Sequence, residues 1–324
     1  MKKKSHITLY SLLFSGLFLF TISCKKETTI PELFTTEISA ITQTTAFCGG
    51  YINADAAKNA KITERGVCWS LGSNPSISDS KTSDGAGSGS YTSVITGLTA
   101  GTVYYMRAYA TNSAGTGYGN IISFTTTQAV LDYEGNVYHT VRLGTQTWMV
   151  ENLQVSHFKD GSIIPFVMNP STWNGLSTAA YCHYNDDLTV AEVYGKLYNW
   201  YAVHDSRGIA PAGWHVASWA EWATLYDYLG GADVAGGKLK ESGLVHWQSP
   251  NTGATNETGF TALPAGERND AGTYMQIGQV AYWWTSTEIL SGWSGFMDVT
   301  SGSTVAQSNY TGQKTGFPVR CVKD

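Results

Sequence analysis

The chain has 324 residues, a net charge of −5, only 14% charged residues and 13% aromatic ones. So many rings beside so little charge exclude an intrinsically disordered polar chain, because ring burial offsets the ordering entropy. No basic run follows Lys2-Lys3-Lys4, which excludes nucleic acid as a partner, since phosphate binding needs clustered Lys and Arg.

In chain order, Lys2, Lys3 and Lys4 open a leader whose apolar stretch runs from Ile7 to Ile22 and closes on Ser23 and Cys24. A charged start, a short apolar segment and a small residue at the cut predict a secretory signal over residues 1–23. Ser11, Ser15 and Gly16 interrupt the stretch, which is also slightly short for a spanning helix. Phe20-Thr21-Ile22-Ser23-Cys24 resembles a lipobox, with Thr21 where Leu is usual. The resemblance implies that Cys24 carries diacylglyceryl, that residues 24–30 are a tether, and that the membrane is a partner through this anchor. Lys25-Lys26-Glu27 is similar to the start of lipoproteins of the Bacteroidetes type, which implies the outer membrane or the cell surface.

Residues 31–127 read as short strands between turns. Ala46, Cys48, Gly50 and Ile52 alternate on one side, as a half-buried strand requires. Residues 65–70 form a further strand, and the Gly/Ser-rich run from Asp84 to Ser90 is a loop. Along the strand that starts near Tyr104, the side chains of Tyr104, Met106, Ala108 and Ala110 are expected to face inward. Leu98-Thr99-Ala100-Gly101-Thr102-Val103-Tyr104 resembles the approach to the penultimate strand of a fibronectin type III domain. The resemblance implies an all-β sandwich in which the Tyr104 hydroxyl ties back to upstream backbone. It also implies the role of a spacer.

The linker to Leu131 is only a few residues, so residues 131–324 are expected to sit close to the sandwich. Val141–Leu143 and Thr147–Val150 read as strands around Gly144. Ser218-Trp219-Ala220-Glu221 has the spacing of a capping box, and Trp222, Leu225, Tyr226 and Leu229 follow as one apolar stripe. Gly230-Gly231 ends that helix. An upstream helix is predicted from Tyr194, Leu197, Tyr198 and Tyr201 on one face. Pro318 in the last strand should leave the ladder unpaired or bulged.

Residues 132–138, Trp148-Met149-Val150-Glu151-Asn152-Leu153, residues 194–201, Gly213-Trp214-His215-Val216, Glu221-Trp222, residues 259–264, Arg268, Trp284-Thr285-Ser286-Thr287-Glu288 and Val319-Arg320-Cys321-Val322 follow one order. That order resembles the Fibrobacter succinogenes major paralogous domain across nearly all of 131–324. The family is itself similar to the C-type-lectin-like, formylglycine-generating group. The resemblance implies an α+β C-type-lectin-like domain after the all-β sandwich.

Four cysteines remain beside Cys24. An even count outside the cytoplasm permits disulfides with three pairings, of which the domain boundaries favour Cys48–Cys68 and Cys182–Cys321. Formylglycine-generating relatives act through a cysteine pair, so a reactive Cys182 or Cys321 is the enzymatic alternative to a structural bridge. The chain has no His-Glu-x-x-His and no Gly-x-Ser-x-Gly. No catalytic residue, cofactor or metal is assigned, although Asn185-Asp186-Asp187 could offer oxygens to calcium. Of the rings, Trp173, Trp247, Trp283, Trp284 and Trp293 could stack on sugars. Trp247 is the most site-like, with Asn251, Asn256 and Glu257 in the polar loop after it reading hydroxyls. The expected role is a non-enzymatic binding head for a glycan or an envelope protein. An enzyme or a purely architectural envelope component is the alternative.

Overall fold

The computed structural model describes residues 28–53 and 60–324. The expected secretory signal, and Cys24 with the lipid expected on it, lie outside the described residues. The described chain is mostly β-sheet with a few short helices.

In the N-terminal part, β1 (Leu33–Thr35), β2 (Ala46–Ile52), β3 (Glu64–Ser70), β4 (Ser80–Lys81), β5 (Gly89–Ile95), β6 (Val103–Asn112), β7 (Gly115–Tyr118) and β8 (Ile122–Thr125) divide between two sheets. One has the order β1-β2-β5, the other runs β4-β3-β6-β7 with β8 also on β6. Alternation decides what each strand buries. Ala46 and Cys48 of one sheet meet Val67, Tyr104, Met106 and Phe124 of the other in one apolar cluster, and Ala108 and Ala110 continue inward. Gly50 leaves room for the facing sheet, since a Cβ there would stand 2.8 Å from the Ala108 Cβ. The Tyr104 hydroxyl accepts the Thr99 N–H at 3.2 Å, tying the strand to backbone upstream.

The cysteines correct the expected bridges, because Cys48, Cys68, Cys182 and Cys321 are all free and buried. Cys48 points into the cluster between the sheets, whereas Cys68, one residue after the inward Val67, points to the outer face. Their thiols donate to different carbonyls, of Ser93 and Arg107. Cys182 and Cys321 belong to separate apolar clusters.

The C-terminal part opens with the hairpin of β9 (Val130–Leu131) and β10 (Val137–Tyr138). It continues with β11 (Thr140–Leu143), β12 (Gln146–Met149), α1 (Pro170–Asn174), β13 (Tyr181–Cys182), α2 (Leu188–Tyr194), β14 (Leu197–Tyr198), α3 (Trp200–Val203) and β15 (Trp214–Val216). Then come α4 (Trp219–Tyr228), α5 (Ala232–Leu239), the two-residue strands β16 (Glu267–Arg268) and β17 (Tyr274–Met275), the meander β18 (Val280–Leu290), β19 (Trp293–Thr300) and β20 (Ala306–Gly312), and finally β21 (Cys321–Lys323). The last strand closes the fold by entering between β12 and β15, in the order β11-β12-β21-β15. Pro318 precedes it, so it takes no ladder position and merely accepts the Trp284 N–H.

The predicted capping box forms: Ser218 accepts the Glu221 N–H and the Glu221 carboxylate accepts the Ser218 N–H. Trp222, Leu225, Tyr226 and Leu229 are buried as one stripe. The predicted helix through Tyr194 and Tyr201 does not form. Gly195 adopts φ 84, and a Cβ there would lie 2.5 Å from that of Asn152, so α2 stops at Tyr194 and the chain restarts at Trp200.

Glu221 also reaches His215 Nε2 at 2.7 Å, while Asp324 meets Nδ1 at 2.6 Å. Partial burial opposes the imidazolium, but the hydrogen bonds and charges of the two carboxylates outweigh it and raise the His215 pKa above its ordinary value. A raised histidine stabilises the fold below its unfolded pKa of about 6.5 and loses that contribution as pH climbs through the folded value. The stability difference between the wild type and His215→Gln should therefore shrink on going from pH 6 towards pH 9. A melting series that shows a constant or growing difference would contradict this assignment.

The C-terminal core is aromatic. Trp222 packs against Trp148, Trp283 and Phe260 with centroids 4.7, 5.2 and 5.8 Å away. Three cations are fully buried with it, each solvated by backbone carbonyls in place of water. Arg320 donates to the carbonyls of Met149 and Phe260 and to Asn152 Oδ1. Arg268 donates to those of Gly272, Val167 and Met168. Lys240 donates to those of Thr252, Thr300 and Ser303.

The two parts meet along a hydrogen-bonded seam. The Arg142 N–H donates to the Ile41 carbonyl at 2.8 Å, and the Thr127 and Thr140 hydroxyls donate to the carbonyls of Thr140 and Gln128. Ala40 is buried in the same apolar cluster as Leu143 and Leu229, as the short linker led us to expect.

Candidate functional site

A cleft of about 430 Å³ opens in the C-terminal part between the segment before β13 and the start of α3. Asn199 sets its two walls. As the N-cap of α3 its Oδ1 accepts the Ala202 N–H at 3.1 Å, and the same oxygen accepts the Ala180 N–H at 3.0 Å while Nδ2 donates to the Thr178 carbonyl. One side chain thus holds residues 178–180 against the helix. The Trp200 indole is fixed at the back by donating to the Thr285 carbonyl at 3.0 Å. One turn on, the exposed His204 ring stacks on that indole with centroids 4.4 Å apart and planes 12° from parallel.

Tyr201, Ala179 and Pro165 add apolar walls, and Ser177 and Thr178 add polar ones. Asp205 and Arg207 close the rim as a fork, with Nε and Nη2 each 2.8 Å from a carboxylate oxygen. Hydrogen bonding from Arg207 holds the Asp205 carboxyl below its ordinary pKa. The Arg207 guanidinium lies 3.8 Å over the Phe158 ring. Flat aromatic faces, nearby hydroxyls and a rim whose charges are mutually spent suit a small neutral ligand with a ring to stack and hydroxyls to bond.

Of the residues expected to read a sugar, Trp247 and Asn251 are turned inward instead. Trp247 is 2% exposed, lies in the core and donates its Nε1–H to the Ala262 carbonyl. Asn251 is buried with its Nδ2 on the carbonyls of Glu241 and Gly243. Asn256 closes its own turn through Thr261, and Glu257 is exposed in an ion pair with Lys238. Trp173, Trp283 and Trp284 are buried, whereas Trp293 is half exposed beside Tyr310. Of the calcium candidates, Asp187 caps α2 and Asp186 accepts the Tyr274 hydroxyl. Among the described residues no group of three or more His, Cys, Asp or Glu is placed to hold a metal ion.

The cleft itself was missed. Its signal was Asn199, a residue type suited to cap a helix beginning at Trp200, which would have put Tyr201 and His204 on the outer turn.

Burial pushes the thiols of Cys182 and Cys321 up to about 12, and those of Cys48 and Cys68 to about 12 and about 11. A thiol so raised is almost wholly protonated at neutral pH and is a poor nucleophile. Alkylation at pH 8 followed by peptide mapping should leave all four unmodified in the native protein. After unfolding without reductant it should modify all four. A native Cys182 or Cys321 adduct, or any peptide pair joined by a disulfide, would refute this.

Residues 141–323 match the Fibrobacter succinogenes major domain. No curated protein matches the chain. Among solved structures, the sensor domain of the anti-sigma factor RsgI4 in Pseudobacteroides cellulosolvens is similar at 18% identity over 30% of this chain and 76% of that one, with a TM-score of 0.23. At that level the likeness informs neither fold nor role.

Proposed function

We propose that this chain, which belongs to the Fibrobacter succinogenes major domain family, is a non-enzymatic, exported lipoprotein that presents a glycan-binding head at the cell surface. Residues 131–324 are the head, with a C-type-lectin-like fold, and residues 31–127 are a spacer of the fibronectin type III type. The lipid on Cys24 and the surface location rest on the leader sequence. The spacer reading draws support from the two facing sheets and the Tyr104 tie. The lectin-like reading draws support from the central position of the C-terminal strand and from the helix α4 capped by Ser218.

The observation that carries the binding role is the cleft with His204 stacked on Trp200 and Tyr201 beside it. The raised thiols argue against a cysteine-based enzyme. Calorimetric titration of the full chain with cellotriose, maltotriose and chitotriose tests the role. At least one should bind, and Tyr201→Ala or His204→Ala should weaken it by about tenfold or more, roughly the value of one aromatic contact. Trp293→Ala should leave it unchanged. Loss of binding in Trp293→Ala alone would move the site to the β19–β20 surface, and no binding of any of the three would remove the neutral-glycan reading.

A further inference from the structure

A second cleft, of about 500 Å³, lies at the seam between the two parts. Its floor follows from strand register. Arg142 of β11 pairs with Thr147 of β12. The Trp148–Val322 pair brings Lys323 of β21 beside Thr147, and Lys323 in turn pairs with Trp214 of β15. Side chains paired across strands share a face. One transverse row therefore crosses all four strands in the sequence cation, hydroxyl, cation, indole, and all four residues line the cleft, with the Trp214 ring itself buried in the core so that only its edge reaches the cleft. Val141 and Trp148, on the opposite face, are buried in the core. The roof comes from the N-terminal part, through Thr125–Thr127 and the connection that follows.

Arg142 and Lys323 are exposed, and no Asp or Glu lines the cleft. Among the described residues Arg142 uses only its Nε, on the Gly144 carbonyl, which leaves both terminal nitrogens without a hydrogen-bond partner there. Among the described residues neither the Lys323 ammonium nor the Thr147 hydroxyl has a hydrogen-bond partner. Two strand spacings separate the cations at the backbone, about 10 Å. Their long side chains can converge over Thr147 on a single oxyanion. The seam bonds from Ile41 to Arg142 and from Thr127 to Thr140 hold roof and floor in place.

We propose that this seam cleft binds an acidic saccharide, its carboxylate shared by Arg142 and Lys323 with Thr147 between them and the sugar ring lying under the roof formed by Thr125–Thr127. The site is independent of the cleft at His204, since the two share no lining residue. Titration of the full chain with trigalacturonate, with sodium sulfate and maltotriose as comparison probes, tests it. The expected result is saturable trigalacturonate binding that weakens as salt rises. It should fall by about tenfold in each of Arg142→Gln and Lys323→Gln and by about a hundredfold in the double variant, as loss of charge-assisted hydrogen bonds implies. Both positions are exposed, and an unchanged melting temperature would verify that the double variant is folded. Tyr201→Ala should leave trigalacturonate binding intact. Maltotriose binding that falls as far in the double variant as trigalacturonate binding does, equal trigalacturonate affinity in the double variant, or no trigalacturonate binding overturns the proposal. Binding of sulfate without the saccharide would also overturn it, leaving only a free-anion site.

Discussion

Replacing Arg320 with Met is expected to lower the melting temperature of the C-terminal part by about 8–16 °C. The guanidinium is fully buried between the Phe260 and Trp283 rings, at 4.4 and 5.8 Å from their centroids. Burial pushes its pKa down to about 9, against a smaller upward pull from the Glu151 carboxylate. Met matches the length of Arg320 but donates nothing, so the buried Phe260 carbonyl would be orphaned and the carbonyl of Met149 would lose its bond from the guanidinium. Each lost bond costs roughly 1–3 kcal/mol, and the lost ring contacts add to that, for a total of about 4 kcal/mol. In a part of this size 1 kcal/mol moves the midpoint by about 2–4 °C. Asn152 Oδ1 keeps its bond from the Trp283 Nε1–H and would be the least disturbed partner. Arg320→Lys should fall between, because one ammonium on a thin stem cannot reach all three acceptors at once. A melt within 3 °C of the wild type for Arg320→Met would show that the site tolerates a dry apolar filler.

Trp222→Ala comes next, with an expected loss of about 3–5 kcal/mol, the range for deleting a large core ring. Trp222 touches Trp148, Trp283, Phe260 and Tyr226 at once, so its removal opens the centre of the aromatic cluster. Its Nε1 has no hydrogen-bond partner among the described residues. Trp222→Phe therefore sacrifices no polar contact, and its cost should stay near 1–2 kcal/mol, set by volume alone. Chemical denaturation of the two variants beside the wild type separates packing from polarity. Equal losses for Phe and Ala would mean that the indole nitrogen matters and that a water satisfies it.

What could be read from the chain follows from which forces are local. The capping box at Ser218 and the stripe behind it depend on residues within three turns, and both formed. Alternation in β2 and β6 likewise needs only the pleat and one buried face. The helix through Tyr194–Tyr201 failed because period 3.6 was matched by rings on both sides of Gly195, whose φ of 84 breaks the backbone between them. Trp247 failed for a different reason. The loop after it is polar, but its polar groups are turned inward to bond backbone, and the ring fills the core below. The bridges failed because pairing cysteines by segment ignores which face of a strand each thiol occupies. The two clefts were out of reach, since each is walled by residues far apart in sequence, 163–165 with 177–179 and 200–207 in one case. Of the family's motif residues, Trp148, Trp222, Arg268 and Arg320 build the frame, whereas Trp200 and Tyr201 also reach the wall of the His204 cleft.

The claim that the His204 cleft is where ligand binds is tested most directly by amide shift mapping. The full chain would be titrated with whichever of cellotriose, maltotriose and chitotriose binds best. Saturable shifts should cluster at residues 163–165, 177–179 and 200–207 and leave residues 247–257 still. Shifts centred on Trp293 and Tyr310, or none at saturating sugar, would contradict it.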